Sequence, residues 1–359
     1  MTRDFDATRR RITALRLTAQ AIAAPIVGEP VDVVRHLLAM QAQDFAGAKW
    51  SVGLRLGNTT DVAIEAALAD GSIVRSWPMR GTLHFVASED LRWIIGLTGE
   101  RTIRAAASRH RQLGLDDADF ARARRIAETV LSDGPRARSS LLAAFETGGL
   151  STAGQRGAHL LVWLAASRVT VFGPVAGKQQ SFALFENWIR ESRDLGGDEA
   201  LAEFVLRYLR SHGPATIRDF AWWSSLTLTD ARRGLEIAAG SLEREGDLYR
   251  RADLEPATAA VHALPGFDEY LLGYQDRTAP LHLDHFPRIV PGNNGMFMPT
   301  IVVDGEVVGT WKRTLASREV VVTPVPFGSL TMAQAKGFAA ASARYGSFVG
   351  KPARVTPAE

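Results

Sequence analysis

Residues 72–87 read SIVRSWPMRGTLHFVA. Two short runs rich in β-branched and aromatic residues, 72–77 and 82–87, flank the turn-forming residues 78–81, so this stretch predicts a β-hairpin. The sequence before it has apolar residues at helical spacing. It predicts three helices, over residues 11–23, 31–40 and 60–68. Three helices followed by a hairpin is the order of a winged helix, a variant of the helix-turn-helix.

The same order of elements recurs twice along the chain. Helical patterns at residues 116–131, 138–146 and 153–167 precede strand-like runs at 169–172 and 181–184. Helical patterns at residues 199–211, 217–224 and 228–239 precede strand-like runs at 241–245 and 247–250. A Ser-x-Gly-Pro sequence, ending at Pro135 and again at Pro214, joins the first helix of each group to the second. A Gly-Pro pair at a helix joint is also ordinary turn chemistry, but the shared order favours a repeated unit.

After residue 256 the sequence becomes rich in strand-forming residues. Strand-like runs separated by turn residues lie at 260–264, 269–274, 297–303, 307–311 and 319–325. Asp304-Gly305 between two Val-rich runs is a strong hairpin signal, and residues 331–345 predict a final helix. The chain therefore predicts an α+β fold. Tandem winged-helix repeats cover residues 1–95, 96–195 and 196–255, and a β-rich domain with a C-terminal helix covers residues 256–359.

The composition is that of a folded globular protein. The chain has 359 residues, of which 46% are hydrophobic and 23% charged, and this excludes wholesale disorder and collagen. It contains no cysteine, which excludes disulfides, thiolate zinc sites and cysteine nucleophiles. No run approaches the roughly 18 apolar residues that a spanning helix needs. The first residues lack the basic and apolar segments of a signal peptide, so we expect a cytoplasmic, nucleoid-associated protein without a membrane partner.

Positive charge is concentrated in the first part of the chain. Residues 1–140 hold 20 Lys and Arg against 16 Asp and Glu, while the whole chain has a net charge of +3. This balance permits nucleic-acid binding without requiring it.

Most of the familiar chemical motifs are missing from the sequence. There is no Gly-x-Ser-x-Gly elbow of a hydrolase and no Gly-x-Gly-x-x-Gly fingerprint of a dinucleotide site. His282-Leu283-Asp284-His285 offers imidazole and carboxylate groups to a metal ion, but no further ligand is evident. A solvated loop is the better interpretation, and we expect neither a metal nor a cofactor.

Gln41-Ala42-Gln43-Asp44 follows directly on a predicted apolar helix. In an extended segment Gln41 and Gln43 point the same way, because side chains alternate with period two. Two converging amides can orient a water molecule or hold the polar edge of a ligand. A solvated helix end is the alternative that these residues alone leave open.

Several further segments accompany this one. They are LAMQAQD at residues 38–44, RSWPMRGTLH at 75–84, GFDEYLLGYQDR at 266–277, and NGMFMPT at 294–300, which leads through Asp304-Gly305 to Gly309-Thr310-Trp311. In order and combination they resemble the AlkZ-like winged-helix DNA glycosylases, over about residues 10–345. The resemblance implies tandem winged helices and a β-barrel-like C-terminal domain, in a C-shaped body with a concave face that binds double-stranded DNA carrying alkylated bases.

The catalytic signature of this family is Gln, an aliphatic residue and Gln, with Asp in third position in some relatives. Gln41-Ala42-Gln43 matches the Gln form, which implies that Gln41 and Gln43 are catalytic and places the chain nearer the branch that unhooks crosslinks. The reaction that this implies is monofunctional hydrolysis of the N-glycosidic bond of N7-alkylated guanine. Asp44 points the other way in an extended segment, which argues against a role for it.

Seven residues are candidates for contacting DNA: Arg75, Arg80, His84, Arg277, Asn294, Lys312 and Arg313. The first three flank the first predicted wing, where they can meet phosphates or the lesion strand. The last two follow the predicted Asp304-Gly305 hairpin and can grip the DNA backbone, and the other two lie in segments that match the family. A surface charge or a structural ion pair is the alternative for each.

Two other functions stay open from the sequence. The chain can be a non-catalytic winged-helix regulator, or a self-resistance protein that binds a drug on the same concave face. A regulator has no need of two convergent amides away from its recognition helices. A bound drug would change the thermal stability of the protein without DNA present. No sustained heptads occur, so we expect a monomer.

Overall fold

The computed structural model describes residues 2–176 and 179–357. The chain divides into two compact units. Unit 1 comprises the residues up to Ile64, Leu206–Trp223 and the residues from Ala238 onward, and unit 2 comprises Glu65–Val205 and Ser224–Ile237. No helix in the described ranges combines the length and the apolar composition needed to cross a membrane.

The elements alternate between helices and short sheets, in a mixed α+β fold as predicted. The first are α1 (Thr2–Ala19), α2 (Pro30–Leu37), β1 (Met40–Gln41), α3 (Phe45–Leu54), α4 (Asp61–Ala69), β2 (Ile73–Met79), β3 (Thr82–Ala87) and α5 (Ser88–Gln112). Next come α6 (Asp117–Val130), β4 (Arg136–Ala137), α7 (Arg138–Thr147), α8 (Arg156–Ala166), β5 (Thr170–Ala176), β6 (Gln179–Leu184), α9 (Phe185–Trp188), α10 (Gly197–His212), β7 (Ala215–Thr216), α11 (Ile217–Ser224), α12 (Leu228–Ala238), β8 (Glu243–Glu245) and β9 (Leu248–Arg250). The last are β10 (Val261–Leu264), α13 (Glu269–Leu272), α14 (Phe286–Ile289), β11 (Thr300–Val303), β12 (Glu306–Leu315), β13 (Val320–Pro326), α15 (Met332–Phe348) and β14 (Ala353–Val355).

Short antiparallel sheets follow the helical groups. In unit 2, β2 pairs with β3, and β5 and β6 form a hairpin within a sheet ordered β4-β6-β5. In unit 1 a second small sheet has the order β7-β9-β8. Pro135 and Pro214 are each followed by a two-residue strand and then a helix, so the same order of elements follows these two joints. The winged-helix assignment and the boundaries at residues 95, 195 and 255 stay predictions.

The C-terminal part of unit 1 is built on one five-stranded sheet, ordered β10-β11-β12-β13-β14 and curled as a half-barrel. Its neighbours pair antiparallel except β13 and β14, which are parallel. The predicted hairpin is present at Asp304-Gly305, where both residues have positive φ, 51° and 88°. A two-residue turn of this kind needs such angles, and Asp-Gly adopts them at low cost.

Aromatic residues fill the core of unit 1. The Trp50 indole donates to the carbonyl of Ala263 at 2.9 Å, and the Trp311 indole donates to that of Leu264 at 2.8 Å. The Tyr345 ring centroid lies 5.2 Å from that of Trp50 and 5.5 Å from that of Trp311. These contacts fix α3 and α15 against the half-barrel sheet, because the buried indole N–H groups of Trp50 and Trp311 both find acceptors on β10.

A separate core lies within unit 2. Phe182 is fully buried and its ring centroid lies 4.5 Å from that of Phe172. Trp77 of β2 packs beside them, with its centroid 5.0 Å from Phe172. The first predicted hairpin therefore forms as expected and contributes to this core.

Three local predictions differ from the structure. Residues 269–274 were expected as a strand from their alternating apolar pattern, but they begin with the short helix α13, which Asp268 caps by accepting from the Tyr270 N–H at 2.9 Å. The second predicted helix ends at Leu37 rather than at residue 40. The helices α3 and α5 have no counterpart among the predicted elements.

Candidate active site

The segment that carries Gln41 and Gln43 is an extended connection between two helices. The left-handed φ of 72° at Leu38 turns the chain out of α2, which ends at Leu37. Gln41 lies in β1. Ala42 is fully buried, whereas Gln41 is half-buried and Gln43 is exposed, which is the alternation of an extended chain. Gln41 therefore does not lie at a solvated helix end.

A buried carboxylate holds the main chain of this segment. The Gln41 N–H donates to Glu269 Oε1 at 3.0 Å, and the Trp223 indole N–H donates to Oε2 at 2.9 Å. The Glu269 side chain is 0% exposed. Both partners can only donate, so both oxygens accept, as a carboxylate does. The Gln41 side-chain amide has no hydrogen bond within residues 2–176 and 179–357, so it is available to a ligand.

The neighbouring carboxylate, Asp268, is neutralised by an arginine. Two guanidinium nitrogens of Arg55 contact the two oxygens of Asp268, each at 2.8 Å, and the Ser51 hydroxyl donates to Oδ2 at 2.6 Å. The Arg55 side chain is 0% exposed, and its Nε donates to the carbonyl of Gln20 at 2.9 Å. A bidentate pair with these further bonds fixes the start of α13, from which Glu269 projects.

The imidazole of His212 lies next to the Glu269 carboxylate. His212 Nε2 is 3.6 Å from Glu269 Oε2, and its Nδ1 is 2.9 Å from the Ser211 hydroxyl. The ring is fully buried and stacks on Tyr208, with centroids 4.6 Å apart. Burial lowers the pKa of His212 below its usual 6.5, although Glu269 opposes the shift. The ring is therefore neutral at pH 7.

Asp44, immediately after Gln43, is committed to a structural role. Its Oδ1 accepts from the Gly47 N–H at 3.0 Å and so caps α3, and its Oδ2 lies 3.3 Å from Arg313 Nη2. A Cβ at Gly47 would lie only 2.4 Å from Asp44 Oδ2, so glycine leaves the room that this cap needs. The carboxylate thus faces the helix end and Arg313.

The predicted DNA contacts in unit 1 differ in exposure. Lys312 and Asn294 are exposed, and the Asn294 side chain accepts from the Met296 N–H at 2.9 Å. Arg313 is half-buried in its pair with Asp44, which is the structural ion pair that the sequence left open.

Arg277 is also half-buried. Its Nε donates to the carbonyl of Leu271 at 2.8 Å, and its guanidinium lies 4.8 Å and 5.3 Å from the ring centroids of Trp222 and Phe297. These cation–π contacts tie the loop after α13 to its surroundings. A role of Arg277 in contacting DNA stays a prediction.

The predicted contacts in unit 2 form two small clusters. Arg75 donates to Gln180 Oε1 at 2.6 Å, and burial lowers its pKa to about 10, so it keeps its charge at pH 7. His84 is fully buried. Its Nε2 lies 2.9 Å from Arg80 Nη2 and its Nδ1 lies 2.9 Å from the Thr82 carbonyl. Arginine can only donate, so Nε2 accepts and Nδ1 carries the proton. His84 thereby orients Arg80, and direct DNA contacts here stay predictions.

The possible metal ligands of residues 282–285 lie in an exposed loop. His282 Nδ1 is 3.4 Å from Asp284 Oδ2, and both side chains are more than half exposed. Within the described ranges, no three His, Asp or Glu residues come together in a way that can hold a metal ion. The solvated-loop interpretation fits this geometry.

The sequence assigned no role to the residues that hold the main chain of Gln41. Asp268 and Glu269 lie in the GFDEYLLGYQDR segment, and Trp223 is completely buried. Two adjacent acidic residues within an apolar run are the signal that marks buried carboxylates. The sequence does not reveal that Glu269 meets Gln41, because 228 residues separate them.

The structure combines a half-barrel sheet with helical groups that are followed by short sheets. Residues 34–348 match the family described as "DNA glycosylase AlkZ-like". The chain belongs to this family and is a DNA glycosylase, a hydrolase acting on N-glycosyl bonds. The resemblance drawn from its sequence segments is thereby confirmed.

Two proteins from Streptomyces sahachiroi are similar to this chain. One, named "Interstrand DNA cross-link repair glycosylase", is 27% identical over 342 residues, which cover 89% of this chain and 91% of that protein. The other is the solved structure of Streptomyces sahachiroi DNA glycosylase AlkZ. It is 24% identical, with a TM-score of 0.79 over 97% of this chain and 99% of that one. This likeness shows a shared fold.

Proposed function

We propose that this glycosylase hydrolyses the N-glycosidic bond of N7-alkylated guanine in double-stranded DNA, and that it unhooks interstrand crosslinks. The observation that carries the proposal is the Gln41 side-chain amide. It has no internal hydrogen bond in the described residues, while Glu269 fixes its main chain. The name of the relative that repairs interstrand crosslinks supports the second part.

The reaction suits amides rather than carboxylates. Alkylation at N7 makes guanine cationic, so the base leaves without a general acid. The enzyme must then position a water molecule and stabilise an oxocarbenium-like sugar. The side-chain carbonyls of Gln41 and Gln43 accept from the water and face the developing positive charge. Neutral glutamine is a poor base, so the water loses its proton late.

The fold supports DNA binding by each helical group. We interpret the groups followed by β2–β3, by β4-β6-β5 and by β7-β9-β8 as three winged helices, and the five-stranded sheet as a β-barrel-like domain. Arg75, Arg80, Lys312 and Arg313 supply positive charge for phosphate contacts. A bulky crosslink requires an open cleft beside Gln41, because a closed pocket admits only a single flipped base.

The test is release of N7-methylguanine from duplex DNA under single-turnover conditions, with abasic sites quantified after mild alkali. Gln41→Ala and Gln43→Ala should each slow release by about a hundredfold or more, the loss typical when one electrostatic stabiliser is removed. Gln112→Ala removes the same side chain from an exposed site and should leave the rate unchanged. A duplex with an N7–N7 crosslink tests unhooking separately.

The other outcomes are equally informative. Full activity of both Gln variants would exclude their catalytic role. Salt-dependent DNA binding without release of any lesion would favour a non-catalytic regulator. A thermal shift with a crosslinking drug alone, without DNA, would favour a drug-binding protein.

A further inference from the structure

We propose that Glu269 is a positioning residue for catalysis. It holds the Gln41 main chain so that the two amides face the reacting sugar and water, and it acts through Gln41 rather than by touching the substrate. This inference rests on the proposed function, because it assigns Glu269 a role only if Gln41 takes part in the reaction.

A direct hydrogen bond links Glu269 to Gln41. Glu269 Oε1 accepts from the Gln41 N–H at 3.0 Å, so the carboxylate fixes the residue at its backbone and leaves the side-chain amide to a ligand. A charge-assisted bond of this kind is stronger than one between neutral groups. Because β1 has only two residues, an additional anchor matters for its geometry.

Glu269 is itself held from several sides. The Trp223 indole donates to Oε2 at 2.9 Å, and the Gln20 amide donates to the carbonyl of Glu269 at 3.2 Å. The preceding residue, Asp268, is fixed by the Arg55 guanidinium. The Tyr270 hydroxyl donates to the carbonyl of Gly305 at 2.6 Å. A carboxylate pinned in this way transmits little movement to Gln41.

The buried Glu269 carboxylate carries a free-energy cost that calls for a reason. Burying a carboxylate is unfavourable unless it is hydrogen-bonded, and an apolar side chain would fill this space more cheaply. Asp268 offsets its burial through its bidentate ion pair, which secures the fold. Glu269 instead accepts, through Oε1, from the main chain of the segment that carries Gln41 and Gln43. A carboxylate at this site therefore serves to position that segment as well as to stabilise the fold.

The test compares excision rate constants under single-turnover conditions with dissociation constants for the same lesion duplex. In Glu269→Gln the amide has one acceptor and one donor end, so either the Gln41 N–H or the Trp223 N–H faces a donor. We expect the rate constant to fall about tenfold to a hundredfold, which is the loss that small misplacements of catalytic groups cause. The dissociation constant should stay within about twofold of wild type.

A double-mutant cycle separates positioning from general destabilisation. The quantity compared is the factor by which Glu269→Gln slows excision. In the Gln41→Ala background this factor should be at least about threefold smaller than in the wild-type background, because the amide that Glu269 positions is gone. The same factor in both backgrounds would overturn the inference.

Trp311→Phe is the matched control. It removes a buried N–H of the same unit, because the Trp311 indole donates to the carbonyl of Leu264 at 2.8 Å and so makes no bond to Gln41 or Glu269. We expect it to lower the melting temperature without slowing excision. If Trp311→Phe slows excision as much as Glu269→Gln does, the effect of Glu269 is structural and the inference fails.

Two further results keep the inference distinct from the proposed function. If Gln41→Ala excises at the wild-type rate, the proposed function fails. If Gln41→Ala is impaired but Glu269→Gln is not, only the inference fails. Should Glu269→Gln not fold, Trp223→Phe replaces it, since it removes the indole hydrogen bond to Glu269 Oε2 that helps to orient the carboxylate. It should slow excision several-fold, and an unchanged rate would overturn the inference.

Discussion

Two adjacent carboxylates, Asp268 and Glu269, are buried side by side and satisfied by different partners. Asp268 is paired with Arg55, and removing either member would leave a buried charge and destabilise the protein by about 3–5 kcal/mol. Glu269 accepts from the main chain of Gln41 and from the Trp223 indole. In the proposed mechanism, stability and catalytic geometry are separated onto neighbouring residues, so a variant of one need not report on the other.

The stability of unit 1 should depend on the protonation of His262 in β10. Its Nε2 is buried without a hydrogen-bond partner in the described residues, and burial, followed by the charges of Arg344 and Arg55, lowers its pKa from 6.5 to about 4, against a raising effect of Asp304. The unfolded chain therefore binds the proton more readily. Above pH 6.5 both states are neutral, and between pH 6.5 and 4 the free energy of unfolding falls as the pH falls, by up to about 3 kcal/mol.

Urea unfolding of wild type and His262→Gln from pH 8 to pH 4 measures this contribution. The wild type should lose more stability than the variant over the acidic part of the range. His282→Gln, at an exposed imidazole, serves as the control and should follow the wild type. Identical pH profiles for wild type and His262→Gln would contradict the prediction.

At the residue scale, the sequence predicts that Gln41 and Gln43 form a pair of amides, but it does not predict that Glu269 holds the Gln41 main chain. The period-two alternation of Gln41, Ala42 and Gln43 follows from local geometry, and the burial of Ala42 agrees with it. The contact of Gln41 with Glu269 depends on how distant segments pack, which local pattern does not encode. Exposure is also hard to read from a sequence, since His84 lies on a predicted wing and is nevertheless buried.

At the element scale, the Asp44 cap determines where α3 begins, directly after Gln43. Asp44→Asn should keep the cap, because asparagine caps helices as well as aspartate does, and should keep excision within about threefold of wild type. Asp44→Ala should cost about 1 kcal/mol of stability. Urea unfolding and single-turnover excision of both variants check this. A well-folded Asp44→Asn variant without excision would mean that the carboxylate takes part in the chemistry.

Three elements show why periodicity predicts some helices and not others. The helix α3 has buried residues on every face from Gly47 to Leu54, so it lacks the polar stripe that marks an amphipathic helix. Apolar and charged residues of α5 are interleaved with Gly96 and Gly99, which weakens its helical signal. The Tyr-Leu-Leu-Gly-Tyr run after Glu269 reads as a strand, but the Asp268 cap and the buried ion pair favour the short helix α13.

At the scale of the whole molecule, the net charge of +3 is small for a protein that binds DNA. Many of its arginines are engaged in internal pairs, for example Arg55 with Asp268 and Arg92 with Glu186. We therefore expect affinity for DNA to depend on where exposed cations lie rather than on overall charge. The alternation of helical groups with short strands follows from local pattern, apart from the additional helices α3 and α5. The assignment of charges to DNA does not follow from local pattern.

Lys312, exposed on β12 after the Asp304-Gly305 turn, should be one of these cations. Lys312→Gln should weaken binding to undamaged duplex DNA several-fold at low salt. It should also reduce the slope of log K against log salt concentration by about one, because one fewer phosphate is neutralised. Lys336→Gln removes the same charge from an exposed position on α15 and is the matched control. Fluorescence anisotropy over a range of salt concentrations measures both slopes. Equal slopes for wild type and Lys312→Gln would remove Lys312 from the DNA interface, and an equal reduction in both variants would mean that binding responds to net charge alone.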